Sequence, residues 1–239
     1  MEVVMSLILN DIRKSYDGNV LFDNFNIEFS EGNICCILGA SGCGKTSLLN
    51  IIGGVLRPDS GKIEGIENKT ISYIFQEPRL LPWKTVRDNI DFVLSREMNL
   101  SERKSKLDEL LKLVDMESFA DYYPSQLSGG MSQRVSLARA FALPSQIILM
   151  DEPLSGLDVS LKRNILNRFV DIWKNDRRTV IYVTHDIDEA LMLGNEIFVI
   201  GEKPVKVLLH KKIETALEKR NLVSPDISEI RNNILEVLK

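Results

Sequence analysis

A glycine-rich segment between an apolar run and a helical run constrains the fold of this chain more than any other feature. Residues 33–38 read as a short apolar strand and residues 46–52 as a helix; between them lies Gly39-Ala40-Ser41-Gly42-Cys43-Gly44-Lys45-Thr46, which matches G-x-x-x-x-G-K-[ST]. The glycines let the main chain curl so that several N–H groups face one anion, and the helix turns its positive dipole end toward the same anion. The strand–loop–helix context favours a phosphate-binding loop over a glycine-rich turn that binds nothing. In such a loop Lys45 reaches the β- and γ-phosphates of a nucleotide, and the Thr46 hydroxyl ligates Mg²⁺.

Short apolar runs alternate with helical periodicity along the chain, which indicates an α/β fold. Strands are predicted at residues 33–38, 71–75, 147–150, 179–184 and 196–200, with 3–9 and 205–210 as candidates for an edge or a small antiparallel sheet. Several are continuously apolar, as expected for strands covered on both faces. Between Pro82 and Pro144 helical signals replace the strand signals, including an amphipathic helix that we expect to begin near an N-cap at Ser101.

These patterns predict one domain with an insertion. An α/β core is expected from residues 1–84 and 144–210, with a helical subdomain inserted at residues 85–143. The tail at residues 211–239 is predicted to be helical in two pieces that are broken at Pro225.

Composition excludes several classes of protein. The chain has 239 residues, of which 44% are hydrophobic, and a net charge of −4, so it can bury a core and lacks the basic footprint of a nucleic-acid-binding protein. Its longest uncharged stretch, residues 32–44, has four glycines and is shorter than the roughly 20 apolar residues of a membrane span. No secretory signal is evident, and three cysteines, two of them adjacent, are a poor disulfide framework. We therefore expect a chain that does not cross a bilayer, with reduced thiols and no nucleic-acid partner.

A second motif is an apolar run that ends in two carboxylates. Residues 147–150 lead into Asp151 and Glu152, which places both at the carboxyl end of a buried strand, where open α/β sheets bind ligands. Alone, such a pair is most often a solvated strand end. Together with the phosphate-binding loop it predicts that Asp151 holds Mg²⁺ through water and that Glu152 polarises an attacking water.

A third motif, Leu127-Ser128-Gly129-Gly130, stands at the start of a helix. A serine and two glycines at a helix N-terminus form a second anion site. One triphosphate already has its own loop, so the economical interpretation is that this second site grips the γ-phosphate of a nucleotide held by another subunit. The alternative for this segment in isolation is a capped helix start.

The three motifs in this order resemble the ATPase subunits of ABC transporters, and the resemblance runs over roughly residues 7–210. Residues 127–130 resemble the family's signature segment, and residues 155–158 its D-loop. The resemblance implies an α/β fold: a P-loop NTPase (RecA-like) core, an inserted α-helical subdomain and a small N-terminal antiparallel β portion. One departure is Met131, where many members have glutamine; it borders the signature segment, and we expect no loss of activity from it.

The resemblance also implies a set of functional residues. Tyr16 is similar to the aromatic residue that stacks on adenine, Gln76 to the Q-loop glutamine that senses Mg²⁺, and His185 to the switch histidine that contacts the γ-phosphate. The catalytic set is then Lys45, Gln76, Glu152 and His185. ATP contacts are expected from Tyr16, Gly39, Ala40, Ser41, Gly42, Cys43, Gly44, Lys45, Thr46, Ser47, Ser128 and Gly130, and Mg²⁺ contacts from Thr46, Gln76 and Asp151.

The implied partners are a second ATPase subunit in a head-to-tail dimer, a transmembrane permease and an external substrate-binding protein, at the cytoplasmic face of the membrane. The segment from Gln76 to Trp83 resembles the nitrate, sulfonate and taurine importer group, which implies import of a small anion. These side chains could instead pack between the two subdomains. Two other functions remain open: a non-transport ABC ATPase acting on DNA or the ribosome, and a P-loop kinase of small molecules. A Ser128→Arg variant separates them, because a kinase does not need the signature segment.

Overall fold

A computed structural model describes residues 6–95 and 98–238. The strands in chain order are β1 (Leu7–Tyr16), β2 (Asn19–Phe29), β3 (Ile34–Leu38), β4 (Ser60–Glu64), β5 (Ile71–Ile74), β6 (Ile147–Asp151), β7 (Thr179–Val183), β8 (Glu196–Gly201) and β9 (Lys206–Lys212). The α-helices are α1 (Lys45–Ile52), α2 (Val86–Leu94), α3 (Leu100–Leu113), α4 (Gly129–Ala142), α5 (Val159–Asp176), α6 (Ile187–Leu193) and α7 (Pro225–Val237).

The chain divides into two compact units. The first unit comprises the described residues up to Lys69, Leu149–Asp151, and those from Arg177 onward. The second comprises Thr70–Ile148, apart from residues 96 and 97, and Glu152–Asp176. The chain passes from the second unit to the first between Ile148 and Leu149, within β6, and returns to the second after Asp151.

The first unit contains a three-stranded antiparallel sheet in the order β2-β1-β4. Leu9 on the central strand lies opposite Ile27 on one side and Ile63 on the other. The pairing shifts register between Leu9 and Ile12, where Asp11 has a φ of +52°. This irregularity bends the strand and keeps the side chains of Leu9 and Ile12 both buried. The predicted antiparallel N-terminal portion is confirmed.

The core of the first unit is a buried parallel arrangement around β3. Every residue of β3 and β7 is buried. The two strands run parallel, β8 lies parallel on the other side of β3, and β9 pairs with β8 in the antiparallel direction. β6 follows β7 in the strand order. The continuously apolar runs therefore form strands that are covered on both faces, as predicted.

The second unit is mostly helical. Thr85 caps α2 by accepting a hydrogen bond from the N–H of Asp88, and Asn99 caps α3 by accepting from the N–H groups of Ser101 and Glu102. Helices α3 and α4 pack together, and Phe141 of α4 stacks on Phe169 of α5 with ring centroids 5.3 Å apart. A helical region between Pro82 and Pro144 is thus observed, and α4 packs against β5.

Three local predictions differ from the structure. The first strand begins at Leu7, and residues 3–5 of its predicted span lie outside the described residues. The cap of α3 is Asn99 rather than Ser101. In the tail, residues 211 and 212 complete β9, a single 3₁₀ turn covers Leu217–Lys219, and Pro225 begins α7 instead of breaking a helix. Proline is favoured at the first helical position because that residue needs no intrahelical N–H bond. Among the described residues, no helix is long and apolar enough to span a membrane.

Candidate nucleotide site

The glycine-rich loop joins β3 to α1 in the first unit. A Cβ atom added at Gly39 would lie 2.4 Å from the carbonyl oxygen of Ile200 and 2.7 Å from Sγ of Cys43, so the loop has no room for a side chain there. Gly42 and Gly44 have φ angles of +74° and +107°, which favour glycine. Cys43 is buried, and its N–H donates to the carbonyl of Ala40, which closes the curl. The glycines of the motif are therefore required by close approach and by main-chain conformation.

Lys45 is the first residue of α1 and is 6% exposed. Its Nζ donates to the carbonyl oxygens of Gly39 and Ala40 at 2.8 and 2.9 Å, which places the ammonium group against the loop. The first turn of α1 has no acidic residue, and its N-cap, Gly44, provides no side-chain acceptor. The dipole end of the helix and the ammonium group thus combine at one place, and this set of donors suits a polyphosphate.

The remaining loop residues differ in exposure. Ala40, Ser41, Gly42 and Thr46 are exposed, whereas Ser47 is half-buried. Thr46 is therefore accessible beside the buried Lys45.

Asp151 is the last residue of β6 and is 3% exposed. Glu152 follows with a φ of +47°, in the left-handed region that a non-glycine residue enters only under constraint. Such constraint is concentrated at functional sites. Within residues 6–95 and 98–238 no group of three or more His, Cys, Asp or Glu side chains could hold a metal ion.

His185 follows β7 and is exposed, after the buried residue Thr184. Since β3 and β7 run parallel, the glycine-rich loop and the loop of His185 leave the same edge of the sheet. Asp186 caps α6, accepting hydrogen bonds from the N–H groups of Asp188 and Glu189 at 2.9 and 3.3 Å. Glu189 itself is buried and accepts a hydrogen bond from Thr184. Sequence reasoning missed Glu189, although a carboxylate among the buried apolar residues of α6 was a usable signal.

Tyr16 ends β1 and is 44% exposed. The ammonium group of Lys14 lies 5.6 Å from the centre of its ring, and Lys14 also forms an ion pair with Asp59 at 2.8 Å. The ring is therefore partly exposed, with the Lys14 ammonium group over it.

In the second unit, Ser128 is the N-cap of α4, and its Oγ accepts from the N–H of Met131 at 3.3 Å. Ser128 and Gly129 are exposed. A Cβ atom at Gly130 would lie 2.9 Å from the side chain of Leu157, so the signature and D-loop segments of one chain are in contact. The predicted capped helix start is thus observed, and its N-terminus is accessible.

Gln76 lies just beyond β5 and is exposed. The loop that follows is held by the buried side chain of Asn89, which accepts from the N–H of Leu81 and donates to the carbonyls of Leu81, Lys84 and Thr85 at 2.8 to 3.2 Å. Trp83 is 71% exposed. The Trp83 side chain is therefore largely accessible, whereas Pro78, Leu80 and Leu81 of the same loop are half-buried.

The sequence is similar to known ATP-binding proteins. A family profile described as ABC transporter matches residues 22–155. The aliphatic sulfonates import ATP-binding protein SsuB of Bacillus subtilis is 38% identical over 227 residues, which is 91% of this chain and 86% of SsuB. An uncharacterized ABC transporter ATP-binding protein of Methanocaldococcus jannaschii is 38% identical over 234 residues, 94% of this chain and 87% of that protein.

The fold is also similar to solved structures. The ATP-binding cassette MJ0796, in a dimeric post-hydrolysis state bound to ADP and Pi, matches with a TM-score of 0.79 and 31% identity over 88% of this chain and 100% of that chain. A second dimeric structure of MJ0796, described as a bacterial ABC transporter cassette, matches equally well. The α/β fold class predicted from the motifs is confirmed by this match.

Proposed function

Because this chain belongs to the ABC transporter family and is an ATP-hydrolysing subunit of it, we propose that it powers an importer of a small anion such as a sulfonate, taurine or nitrate. The observation that carries the ATP-driven part of the proposal is the position of Lys45, which is buried against the curled loop that precedes α1. That loop provides the site for ATP, and relatives named as aliphatic sulfonate importers support the class of cargo.

ATP binding is assigned to the residues around the loop. Main-chain N–H groups of the glycine-rich loop and the first turn of α1, together with the ammonium group of Lys45, hold the phosphates, and Tyr16 stacks on the adenine. Thr46, Asp151 and Gln76 are the residues that would hold Mg²⁺, directly or through water. When bound, Mg²⁺ neutralises phosphate charge that develops during transfer.

Hydrolysis needs an oriented water and a fixed γ-phosphate. Glu152 is the residue that polarises the water, and its constrained main chain at the end of β6 supports a defined position for the carboxylate. His185 contacts the γ-phosphate from the neighbouring loop. Because phosphoryl transfer to water requires little covalent help, positioning and charge stabilisation supply most of the catalysis.

The second anion site completes the nucleotide site of another subunit. Ser128 and Gly130 of one subunit grip the γ-phosphate held by Lys45 of its partner, in a head-to-tail dimer. The accessible N-terminus of α4 and the dimeric ADP-bound state of the similar cassette MJ0796 support this arrangement. Hydrolysis then removes the phosphate that joins the two subunits, which converts chemistry into motion.

The motion is passed to a transmembrane permease at the cytoplasmic face of the membrane, and an external protein delivers the cargo. The segment from Gln76 to Trp83 is the proposed contact with the permease, since Asn89 anchors it at Leu81 and Trp83 is largely exposed. The division into a core of residues 1–84 and 144–210, a helical subdomain of 85–143 and a tail of 211–239 stays a proposal, and the two compact units have different boundaries.

Phosphate release by the purified full-length chain, with ATP and Mg²⁺, tests the proposed activity. We expect Glu152→Gln to bind ATP and dimerise but to hydrolyse at least about 100-fold more slowly, and Lys45→Ala to bind ATP weakly. Ser128→Arg should retain ATP binding and lose hydrolysis. A wild-type chain without ATPase activity, or a Ser128→Arg chain with the wild-type rate, contradicts the proposal.

The cargo is tested separately. Deleting the permease that co-purifies with this chain should abolish uptake of radiolabelled taurine, sulfonate or nitrate, and the Glu152→Gln chain should abolish uptake of the same compound. Uptake of all three anions at the wild-type rate in both strains contradicts the assigned cargo class and leaves the ATPase assignment intact.

A further inference from the structure

A cluster of buried polar side chains lies behind His185 in the first unit. Glu189 of α6 is 6% exposed, and Tyr182 and Thr184 are 1% and 2% exposed. Oε2 of Glu189 accepts a hydrogen bond from the hydroxyl of Tyr182 at 2.8 Å and another from the hydroxyl of Thr184 at 2.9 Å. One carboxylate oxygen therefore holds two residues of the segment that leads into His185.

The hydroxyl of Thr184 makes a second contact. Its Oγ1 accepts from the N–H of Asp186 at 3.0 Å. Thr184 and Asp186 are the residues immediately before and after His185, so this hydroxyl spans the histidine. It connects both sides of the His185 main chain to the carboxylate of Glu189.

The direction of these hydrogen bonds is fixed by chemistry. A threonine hydroxyl has one proton, and an N–H group can only donate, so Thr184 accepts from Asp186 and gives its own proton to Glu189. Burial and the nearby Glu189 carboxylate raise the pKa of the Tyr182 hydroxyl, so that it also remains a donor. Hydrogen bonds to a charged acceptor are about twice as strong as neutral ones, and a buried carboxylate needs such partners.

The helix that carries Glu189 is held at both ends. At its start, Asp188 forms an ion pair with Arg231 of α7. At its other end, the buried guanidinium of Arg220 donates to the carbonyl oxygens of Leu191 and Gly194 at 3.1 and 2.7 Å. Glu189 therefore projects from a fixed element, which is what a residue that orients a loop requires.

From this geometry we propose that Glu189 is a positioning residue for His185, acting through the Thr184 hydroxyl to hold the histidine where it meets the γ-phosphate. The inference rests on the proposed ATPase function. Glu189 itself does not contact the nucleotide; the contact with the γ-phosphate is made by His185. Loss of its bond to Thr184 lets the His185 loop shift, which lowers the rate of the chemical step while ATP binding by the glycine-rich loop is retained.

A purely structural role for Glu189 is the competing explanation, and Tyr182 provides a matched control. Its hydroxyl binds the same carboxylate oxygen as Thr184 does, at nearly the same distance, but Tyr182 lies three residues before His185, whereas Thr184 is the immediate neighbour of His185 and accepts from the N–H of Asp186. Thr184→Val and Tyr182→Phe each remove one hydroxyl donor and keep a buried side chain of similar shape. A structural role predicts equal effects on turnover, whereas positioning predicts unequal ones.

The test measures kcat and KM for ATP hydrolysis, and the melting temperature, with the full-length chain. We expect Thr184→Val to lower kcat about tenfold, because a small misplacement of a catalytic group has a large effect on rate, with KM for ATP unchanged within about twofold. Thr184→Ser keeps the hydroxyl and should restore the wild-type kcat. Tyr182→Phe should lower the melting temperature as Thr184→Val does, and leave kcat within about twofold of wild type.

A double-mutant cycle with His185→Ala identifies the route of the effect. If Thr184 and Glu189 act through His185, Thr184→Val should slow the His185→Ala chain by less than about twofold. An equal loss of kcat in Thr184→Val and Tyr182→Phe, or a full tenfold loss in the His185→Ala background, overturns the inference. If Thr184→Val does not fold, Glu189→Gln replaces it, since it keeps an acceptor oxygen but loses the charge; its kcat should fall about threefold, and an unchanged kcat overturns the inference.

The two proposals fail in different ways. A wild-type chain that does not hydrolyse ATP removes the proposed function. A wild-type chain that hydrolyses ATP, with Thr184→Val at the same kcat, removes only the role of Glu189.

Discussion

Changing Ser128 to alanine and to aspartate should separate the stability of the protein from its turnover. Ser128 caps α4 through a hydrogen bond of 3.3 Å from the N–H of Met131, with an exposed side chain. Loss of a serine N-cap typically costs about 1 kcal/mol of stability. Because this hydrogen bond is long, we expect a cost at the low end, about 0.5 kcal/mol. For a chain of this size that is a fall of roughly 1–2 °C in melting temperature. Aspartate keeps an acceptor and adds a charge that the helix dipole favours, so Ser128→Asp should melt at or slightly above the wild-type temperature.

For hydrolysis, the order of the two variants is reversed: Ser128→Asp should lose more activity than Ser128→Ala. In the head-to-tail dimer the side chain at position 128 faces the γ-phosphate of the partner's nucleotide. Two negative charges about 4 Å apart at an effective dielectric constant of about 20 repel by about 4 kcal/mol, which corresponds to a loss of roughly 1,000-fold. Ser128→Ala loses one hydrogen bond of about 1 kcal/mol, or roughly fivefold. The aspartate variant should therefore be the more stable of the two and by far the less active.

Melting by circular dichroism and phosphate release at saturating ATP measure both quantities. Asn99→Asp is the matched control, because Asn99 caps α3 by accepting two N–H groups at 3.1 Å and the substitution adds the same charge at a helix N-terminus. Its hydrolysis rate should stay within about twofold of wild type. Hydrolysis by Ser128→Asp at the wild-type rate refutes the reasoning, as does a Ser128→Asp chain that loses activity only because it melts several degrees lower.

Three further predictions concern the first unit. Arg220→Ala leaves three main-chain carbonyls without their guanidinium donor and should lower the free energy of unfolding by about 3 kcal/mol; unchanged urea denaturation contradicts this. Gly39→Ala places a methyl group 2.4 Å from the carbonyl oxygen of Ile200. It should destabilise the protein by about 1–3 kcal/mol and weaken the binding of a fluorescent ATP analogue. Wild-type affinity for the analogue contradicts the requirement for glycine at this position. The pKa of Asp59 is lowered to about 2 by hydrogen bonds from Lys14 and Ser15. Because the folded pKa lies below the unfolded value of 3.8, this contribution to stability is complete above about pH 4 and is lost as the pH falls toward 2, so Asp59→Asn should flatten that part of the acid denaturation curve.

The parallel part of the fold was predictable because its strands are continuously apolar. β3 and β7 are buried throughout. A short apolar run between glycine-rich and polar segments is typical of a strand that is covered on both faces. β2 and β4 were not predicted. Both carry many exposed residues, and the register shifts of β1 break the simple alternation that marks an antiparallel strand. The prediction at Pro225 was wrong because a proline can either end a helix or begin one, and the sequence alone does not decide between these.

The site divides in the same way. The glycine-rich loop is contiguous in sequence, and the structure shows Gly39 and Gly44 in a tight curl with the ammonium group of Lys45 against it. The roles assigned to Gln76, Glu152 and His185 rest on resemblance and stay predictions. The hydrogen bonds between Tyr182, Thr184 and Glu189 join a strand to the next helix, so no spacing rule in one sequence identifies them.

Mixing two inactive chains tests most directly whether one nucleotide is held by two subunits. Lys45→Ala disables the glycine-rich loop, and Ser128→Arg disables the signature segment of a different chain. A head-to-tail heterodimer of the two has one intact site, since the loop of one chain meets the signature segment of the other. With random pairing of equal amounts, half of the dimers recover half of their sites, so the mixture should show about a quarter of the wild-type ATPase rate. A mixture as inactive as either chain alone contradicts the shared site.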